Sequence, residues 1–210
     1  MKKLVLATIL AALTAAPVAA APPTLTLKAS VTTVTYGGST TLSGALSTQR
    51  TGQSVDIQAQ ECGQNPFKRI ASVTTTTGGA FTYAAKPTMN TNYQAKQKSA
   101  TSPSVAVKVV PQLRLFKRPS PNASRRFGVT LTAAQSFVGK YVIFQKRGST
   151  KWLTVKKVSF TSVMTTTAPT QVTSQNFAIR IKRHPKVRVV LPADQAGTCY
   201  LPAFSKAIRS

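Results

Sequence analysis

Gly52 to Gln58 read GQSVDIQ, and Gly139 to Gln145 read GKYVIFQ. In both, a glycine is followed at the same offsets by Val, a second apolar residue and Gln. Val55, Ile57 and Ala59 fall on one side of an extended chain. Val142 and Phe144 do the same, with Tyr141 on the opposite side. Apolar residues at period two, with polar partners between them, mark a strand with one buried and one wet face.

The similarity extends beyond these seven residues. Phe67, Ile70 and Val73 have the same mutual spacing as Trp152, Val155 and Val158. TTLSG (Thr40 to Gly44) parallels VTLTA (Val129 to Ala133), and FTYAAKP (Phe81 to Pro87) parallels FAIRIKRHP (Phe177 to Pro185) with a small insertion. One unit duplicated with loop changes accounts for this, and Pro111 is the natural boundary. Further alternating sets occur at Leu25, Leu27 and Ala29, at Phe81, Tyr83 and Ala85, and at Val105, Val107 and Val109. Turn residues separate them: Tyr36-Gly37-Gly38, Arg50-Thr51-Gly52, Gln64-Asn65-Pro66, Gly78-Gly79 and Met89-Asn90. The two glycine pairs are expected to close hairpins. No window sustains a helical period. Strands about ten residues apart predict a seven-stranded β-sandwich in each unit.

Residues 1–20 read as an address. Met1-Lys2-Lys3 is a positive start, Leu4 to Leu13 is apolar, and Val18-Ala19-Ala20 supplies small residues before a cut. This is the pattern of a secretory signal peptide cleaved after Ala20, too short to span a bilayer. No later stretch is long and apolar enough for a transmembrane anchor. Leu191-Pro192-Ala193-Asp194 lacks the Thr-Gly and the hydrophobic tail of a sortase signal. The expected organisation is signal peptide 1–20, first domain 21–111 and second domain 112–210, in an exported, soluble chain.

VTYGGSTTLSGAL, GQSVDIQAQECG, TTGGAFTYAAKPTMNTNYQAK and SPSVAVKV resemble the Ig-like repeats of secreted bacterial proteins. GKYVIFQKR, KWLTVKKVSF and the closing RVVLPADQAGTCYLPAFSKAIR carry the same resemblance in the second unit. It covers the whole chain after the address and implies two tandem Ig-like, Greek-key-type sandwiches, all-β in class. It also implies scaffolding, adhesion or carriage of other modules at a bacterial cell envelope. It brings no catalytic residues, and a fold alone does not give a function. The second unit departs from the pattern at Ser162 to Thr173, where a Thr-rich loop replaces the Gly-Gly turn.

Composition narrows the chemistry. The 210 residues include 28 Lys+Arg, 3 Asp+Glu, 1 His and 2 Cys, a formal charge of +25. Asp56, Glu61 and Asp194 are too few for carboxylate-pair chemistry, and His184 alone gives little scope for acid–base work. No metal-ligand spacing and no phosphate-binding glycine loop opening a helix is present, so neither metal nor cofactor is expected. Cys199, His184 and Asp194 could be written as a nucleophile constellation. However, His184 lies in the IKRHPK turn, at the end of the domain opposite Cys199. No catalytic site is predicted.

In an exported chain, Cys62 and Cys199 read as a disulfide. Cys62 follows the third strand of the first unit, at the end where that domain's chain exits. Cys199 lies between the last two strands of the second unit, at the end where its chain enters. Head-to-tail domains bring those ends together, so an interdomain bridge is expected. It would close a long loop, a constraint of about 4–5 kcal/mol in the chain-entropy account.

The charge is uneven. Residues 21–111 carry 8 Lys+Arg and 2 acids, whereas residues 112–210 carry 18 and 1. Spread evenly over about 5,400 Å² of surface, the second unit's net charges would sit about 18 Å apart. That exceeds a Debye length of ~8 Å, so clustering decides whether there is a site. Clusters occur at Lys117-Arg118, Arg125-Arg126, Lys146-Arg147 and Lys156-Lys157, and from Arg180 to Arg188. Phe177, Ile179 and Ile181 face inward, and so do Val187 and Val189. Arg180, Lys182, Lys186 and Arg188 then face outward, with Arg147 on the same outer face. Arg147, Lys156, Lys157, Arg180, Lys182, Arg183, Lys186 and Arg188 form the candidate polyanion-binding set. Teichoic acid, acidic polysaccharide, an anionic lipid surface or extracellular DNA are the partner classes; another surface protein is the alternative. A basic surface kept only for solubility or edge protection fits the same residues. Sequence-specific nucleic-acid recognition is not expected of a charge that works outside the cytoplasm. Phe67, Phe81, Tyr83, Phe144, Phe177 and Trp152 are expected in the cores, and Tyr141 is expected to be exposed.

Overall fold

The Thr- and Val-rich alternation forms strands along nearly the whole chain. The structure is a computed structural model describing residues 22–120, 124–181 and 184–210. The predicted signal peptide (1–20) lies outside the described residues, as do Lys182 and Arg183. Among the described residues no helix is long and apolar enough to cross a membrane.

The first nine strands are β1 (Lys28–Ala29), β2 (Thr33–Thr35), β3 (Thr40–Ala45), β4 (Ser54–Glu61), β5 (Lys68–Thr74), β6 (Ala80–Ala85), β7 (Thr91–Gln97), β8 (Ala100–Thr101) and β9 (Val105–Val110). They form two facing sheets, β1-β3-β6 and β2-β9-β7-β4-β5, with short β8 beside β7. All pairs are antiparallel except β2 with β9, which run parallel. This is the strand order of an Ig-like sandwich, A-B-E against A′-G-F-C-C′.

The next nine are β10 (Gln112–Arg118), β11 (Arg125–Ala133), β12 (Tyr141–Arg147), β13 (Trp152–Ser159), β14 (Ser162–Thr167), β15 (Thr170–Ile179), β16 (Lys186–Leu191), β17 (Ala203–Phe204) and β18 (Ile208–Arg209). One short helix, α1 (Ala193–Ala196), follows β16. Their sheets are β10-β11-β15-β14 and β13-β12-β16, the latter with β17 and β18 both along the far edge of β16. The order A-B-E-D against C′-C-F-G is again Ig-like.

The alternation reads out directly as burial. Val55 and Ile57 of β4, Ala95 of β7, and Val107 and Val109 of β9 are fully buried, and they face Leu42 of β3 and Phe81 of β6. In the second sandwich Phe127, Val129 and Leu131 of β11 oppose Val142 and Phe144 of β12 and Val187 and Val189 of β16. Phe127, Phe144 and Phe177 pack ring to ring with centroids 5.2 to 5.7 Å apart. Each fully buried Leu or Phe contributes about 1.5–3 kcal/mol of transfer free energy. Gly52 and Gly139, the glycines that lead the two matching segments, both have left-handed backbone, at φ 72° and 82°. Each of the following strand pairs also slips register at the same place, between Ile57 and Gln58 and between Phe144 and Gln145.

Two local expectations are corrected. Gly37-Gly38 and Gly78-Gly79 do not close hairpins, because β2 and β3 lie in different sheets, as do β5 and β6. Each glycine pair carries the chain across the sandwich. The Thr-rich stretch from Ser162 to Thr173 is not a loop but a hairpin, β14 pairing antiparallel with β15. Threonine is β-branched and favours the pleated backbone.

Only Pro111, buried, separates β9 from β10. The joint is closed by more than this residue. The Asn90 N–H and side-chain amide donate to the carbonyls of Cys199 and Thr198 (2.9 and 2.8 Å), and the Leu201 N–H donates to the Val109 carbonyl (2.8 Å). The Tyr200 hydroxyl donates to the Thr88 carbonyl and accepts from the Ala134 N–H, both at 2.9 Å. Asn90 is itself fixed by accepting the Val109 N–H through Oδ1 (2.8 Å).

Candidate polyanion-binding face

The outer face of the β13-β12-β16 sheet is built by the residues that alternate with the core. On β12 these are Tyr141, Ile143, Gln145 and Arg147, and on β16 they are Lys186, Arg188 and Val190. Pairing sets Gln145 opposite Arg188 and Arg147 opposite Trp152. Beyond β16, Phe204 lies opposite Val190 and Arg209 opposite Lys186.

Arg188 is the centre of this face. Its guanidinium lies 4.3 Å from the centroid of Trp152 on one side and 5.1 Å from that of Phe204 on the other. Its Nε donates to Gln145 Oε1 at 2.9 Å. Arg147 also approaches Trp152, at 5.7 Å, and Lys157 lies 4.6 Å over Tyr141. Desolvation under its neighbours, then the charge on Arg147, lowers the Arg188 pKa from its ordinary value. The group nonetheless stays charged, as guanidinium groups do in proteins. A cation over a ring gains about 0.5–2 kcal/mol, which helps hold these like charges together. Phe204 keeps 60% of its surface exposed.

One acid reaches the edge of this face, at Tyr141, and none lies near Arg188. The second sandwich has one acid, Asp194, which accepts from the Gln195 side-chain amide (2.9 Å) and the Tyr141 hydroxyl (3.2 Å). These hydrogen bonds, Gln195 first, hold its carboxyl below the usual range. Among the described residues the ion pair that forms, Arg69 with Asp56 at 3.7 Å, is in the first sandwich.

Of the eight predicted residues, Arg147, Lys157, Lys186 and Arg188 share the face. Lys156 does not, because it pairs with the inward-facing Phe144 and is exposed on the other side of edge strand β13. Arg180 is exposed just past β15, in the opposite sheet, and Lys182 and Arg183 lie outside the described residues. The structure adds Phe204, Gln145 and Arg209, which sequence reasoning missed. It also moves Trp152 out of the core: opposite Arg147, the indole is half-buried on the outer face. Tyr141 faces outward as expected but is half-covered by Lys157.

Cys62 and Cys199 form a disulfide across the joint, with Cα atoms 5.3 Å apart. The Cys–His–Asp constellation is not assembled. The Cys199 sulfur is bonded to Cys62, and His184 lies at the other end of β16, against Ser210 and Arg125.

No protein-family model matches this chain, and no curated protein matches it by sequence. Three solved structures are similar in shape over 90% of the chain. A marsupial T cell receptor is 10% identical, covered over 100% of its own length, with a TM-score of 0.31. The human OSCAR ligand-binding domain is 14% identical and 97% covered, with a TM-score of 0.28. A bovine butyrophilin is 9% identical and 100% covered, with a TM-score of 0.40. At these scores the assignment of an Ig-like sandwich rests on the strand order above.

Proposed function

We propose that this is a noncatalytic, exported interaction protein whose second sandwich binds an anionic polymer through the outer face of β12, β13 and β16. The observation that carries this is Arg188, held between Trp152 and Phe204 and flanked by Arg147, Lys157 and Lys186, with no acid among the face residues named above. A fixed guanidinium beside an exposed ring suits a phosphate-, sulfate- or carboxylate-bearing polymer with a flat unit to stack. The shared φ-positive glycines and the shared register slip support the duplication read from the sequence, with domains at 21–111 and 112–210. The disulfide fits an oxidising destination and hence the predicted signal peptide. Location at a bacterial cell envelope rests on the sequence resemblance.

Binding to duplex DNA, a heparin-type polysaccharide and isolated cell-wall polymer at about 150 mM salt tests the reading. Saturable binding to at least one, lost in an Arg147→Gln/Arg188→Gln variant, is expected. Indifference to all three overturns it.

A further inference from the structure

The outer face of the first sandwich meets the joint at a cavity of about 290 Å³. Gln60 of β4, Asn92 of β7 and Lys108 of β9 line it. They alternate with the core residues Ala59, Tyr93, Val107 and Val109, so their side chains stand together on the outer face. Strand pairing sets Gln60 directly opposite Asn92. The turn Cys62-Gly63-Gln64 forms one wall, with Glu61 at its base, and Thr198 of the second sandwich forms another. We propose that this cavity binds one unit of a neutral sugar through its hydroxyl groups. The proposal does not depend on polymer binding by the second sandwich.

The lining selects for hydroxyls. Every lining residue other than Cys62 and Gly63 carries a polar side chain, so an apolar ligand would gain little by entering. One acid, Glu61, and one base, Lys108, line the cavity, and among the described residues neither is in an ion pair. In a chain of formal charge +25, this cavity is balanced and does not select for a net charge. Its amides are oriented before binding. Asn92 donates to Gln60 Oε1 (3.4 Å), Gln60 to Asn65 Oδ1 (3.2 Å) and Gln64 to Glu61 Oε2 (3.2 Å). These bonds leave Asn92 Oδ1 and Gln64 Oε1 as acceptors, beside the Lys108 ammonium as a donor. A sugar hydroxyl both donates and accepts, so it suits a mixed set of this kind. Gln60, Glu61 and Asn92 are half-buried and Gln64, Lys108 and Thr198 are exposed, so a ligand can reach all six. The walls are fixed by the joint. Asn90 ties the Thr198 and Cys199 carbonyls to the first sandwich, and the disulfide spans the same gap. A site held in shape loses little freedom on binding. The volume lies near the lower end of ligand pockets, which limits the ligand to one sugar unit.

The test is a titration of the full ¹⁵N-labelled chain with glucose, galactose, mannose and N-acetylglucosamine, followed by NMR through the side-chain amide signals of Gln60, Gln64 and Asn92. At least one sugar should give saturable shifts of these signals, with an affinity unchanged at about 0.5 M salt because the ligand is neutral. Glycine carries both charges and cyclohexanol carries a ring, but neither has the array of hydroxyls, and neither should bind. Asn92→Ala should weaken the sugar about tenfold, the scale of one or two hydrogen bonds. If Asn92→Ala does not fold, Lys108→Ala, altered at an exposed position, should show the same loss. No saturable shift from any of the four sugars, equal affinity in the variant, binding lost at high salt, or equal binding of glycine or cyclohexanol overturns the proposal.

Discussion

The Arg188 guanidinium lies 4.3 Å above the Trp152 ring, reaching across β12 to an indole two strands away. Because Trp152 is the only tryptophan in the chain, its fluorescence reports on this indole and the two guanidinium groups over it, Arg188 and Arg147. Arg188→Ala should red-shift and alter the emission by exposing the ring, with a stability loss of about 0.5–1 kcal/mol for a partly exposed cation–ring contact. An unchanged spectrum would mean that the two groups do not meet in solution.

Cys62 and Cys199 are 137 residues apart in sequence. Peptide mapping without reduction should recover the Cys62 and Cys199 peptides cross-linked. The double variant Cys62→Ser/Cys199→Ser should lose about 4–5 kcal/mol in denaturant unfolding by the loop-entropy account. The hydrogen bonds of Asn90, Tyr200 and Leu201 remain, so the two sandwiches should stay in contact while the joint loosens. Two free thiols in the native chain would remove the bridge from the description.

Tyr200 joins both sandwiches through one hydroxyl. Tyr200→Phe deprives the Thr88 carbonyl and the Ala134 N–H of their partner at a buried site, at a cost of about 1–3 kcal/mol. Burial also pushes the Tyr200 and Tyr93 pKa values up to about 12 from 10.0. A raised pKa means the folded state favours the protonated phenol. That stability is complete below pH 10 and is lost as pH rises through 12. Alkaline unfolding monitored by circular dichroism should therefore begin in that window, and a flat signal through it would contradict the burial of these hydroxyls.

Gly128 of β11 sits under the Phe116 ring, which a Cβ at that position would overlap, with Asn176 Oδ1 at 3.0 Å on another side. Gly128→Ala should force the ring aside and destabilise by about 1–3 kcal/mol, the usual range for overpacking. Phe116→Leu should recover part of that loss if the overlap is the cause. Neutral behaviour of Gly128→Ala in thermal unfolding would refute the close approach.

The sandwiches were readable in the sequence because alternation survives in β4, β9, β12 and β16, whose Val, Ile and Phe residues became the cores. Trp152 leads β13 as Phe67 precedes β5, and both were expected in the cores, but each is half-buried outside them. The register slip after Phe144 decides which side of β13 each residue takes, and alternation alone does not show it. Phe204 stands in a two-residue strand, too short for a period. Arg125, His184 and Ser210 are far apart in the sequence and meet only because β18 closes onto β16. The partition of charge between the two units was plain from counting, but which bases share a face required the register.

The salt dependence of duplex DNA binding, followed by Trp152 fluorescence, tests the polyanion face most directly. The wild-type chain should show log K falling linearly with log salt. The Arg147→Gln/Lys186→Gln/Arg188→Gln variant should bind more weakly, with the slope reduced in magnitude by between about 2 and 3, as three lost phosphate contacts require. Identical affinities and slopes for the two proteins would contradict a binding role for this face.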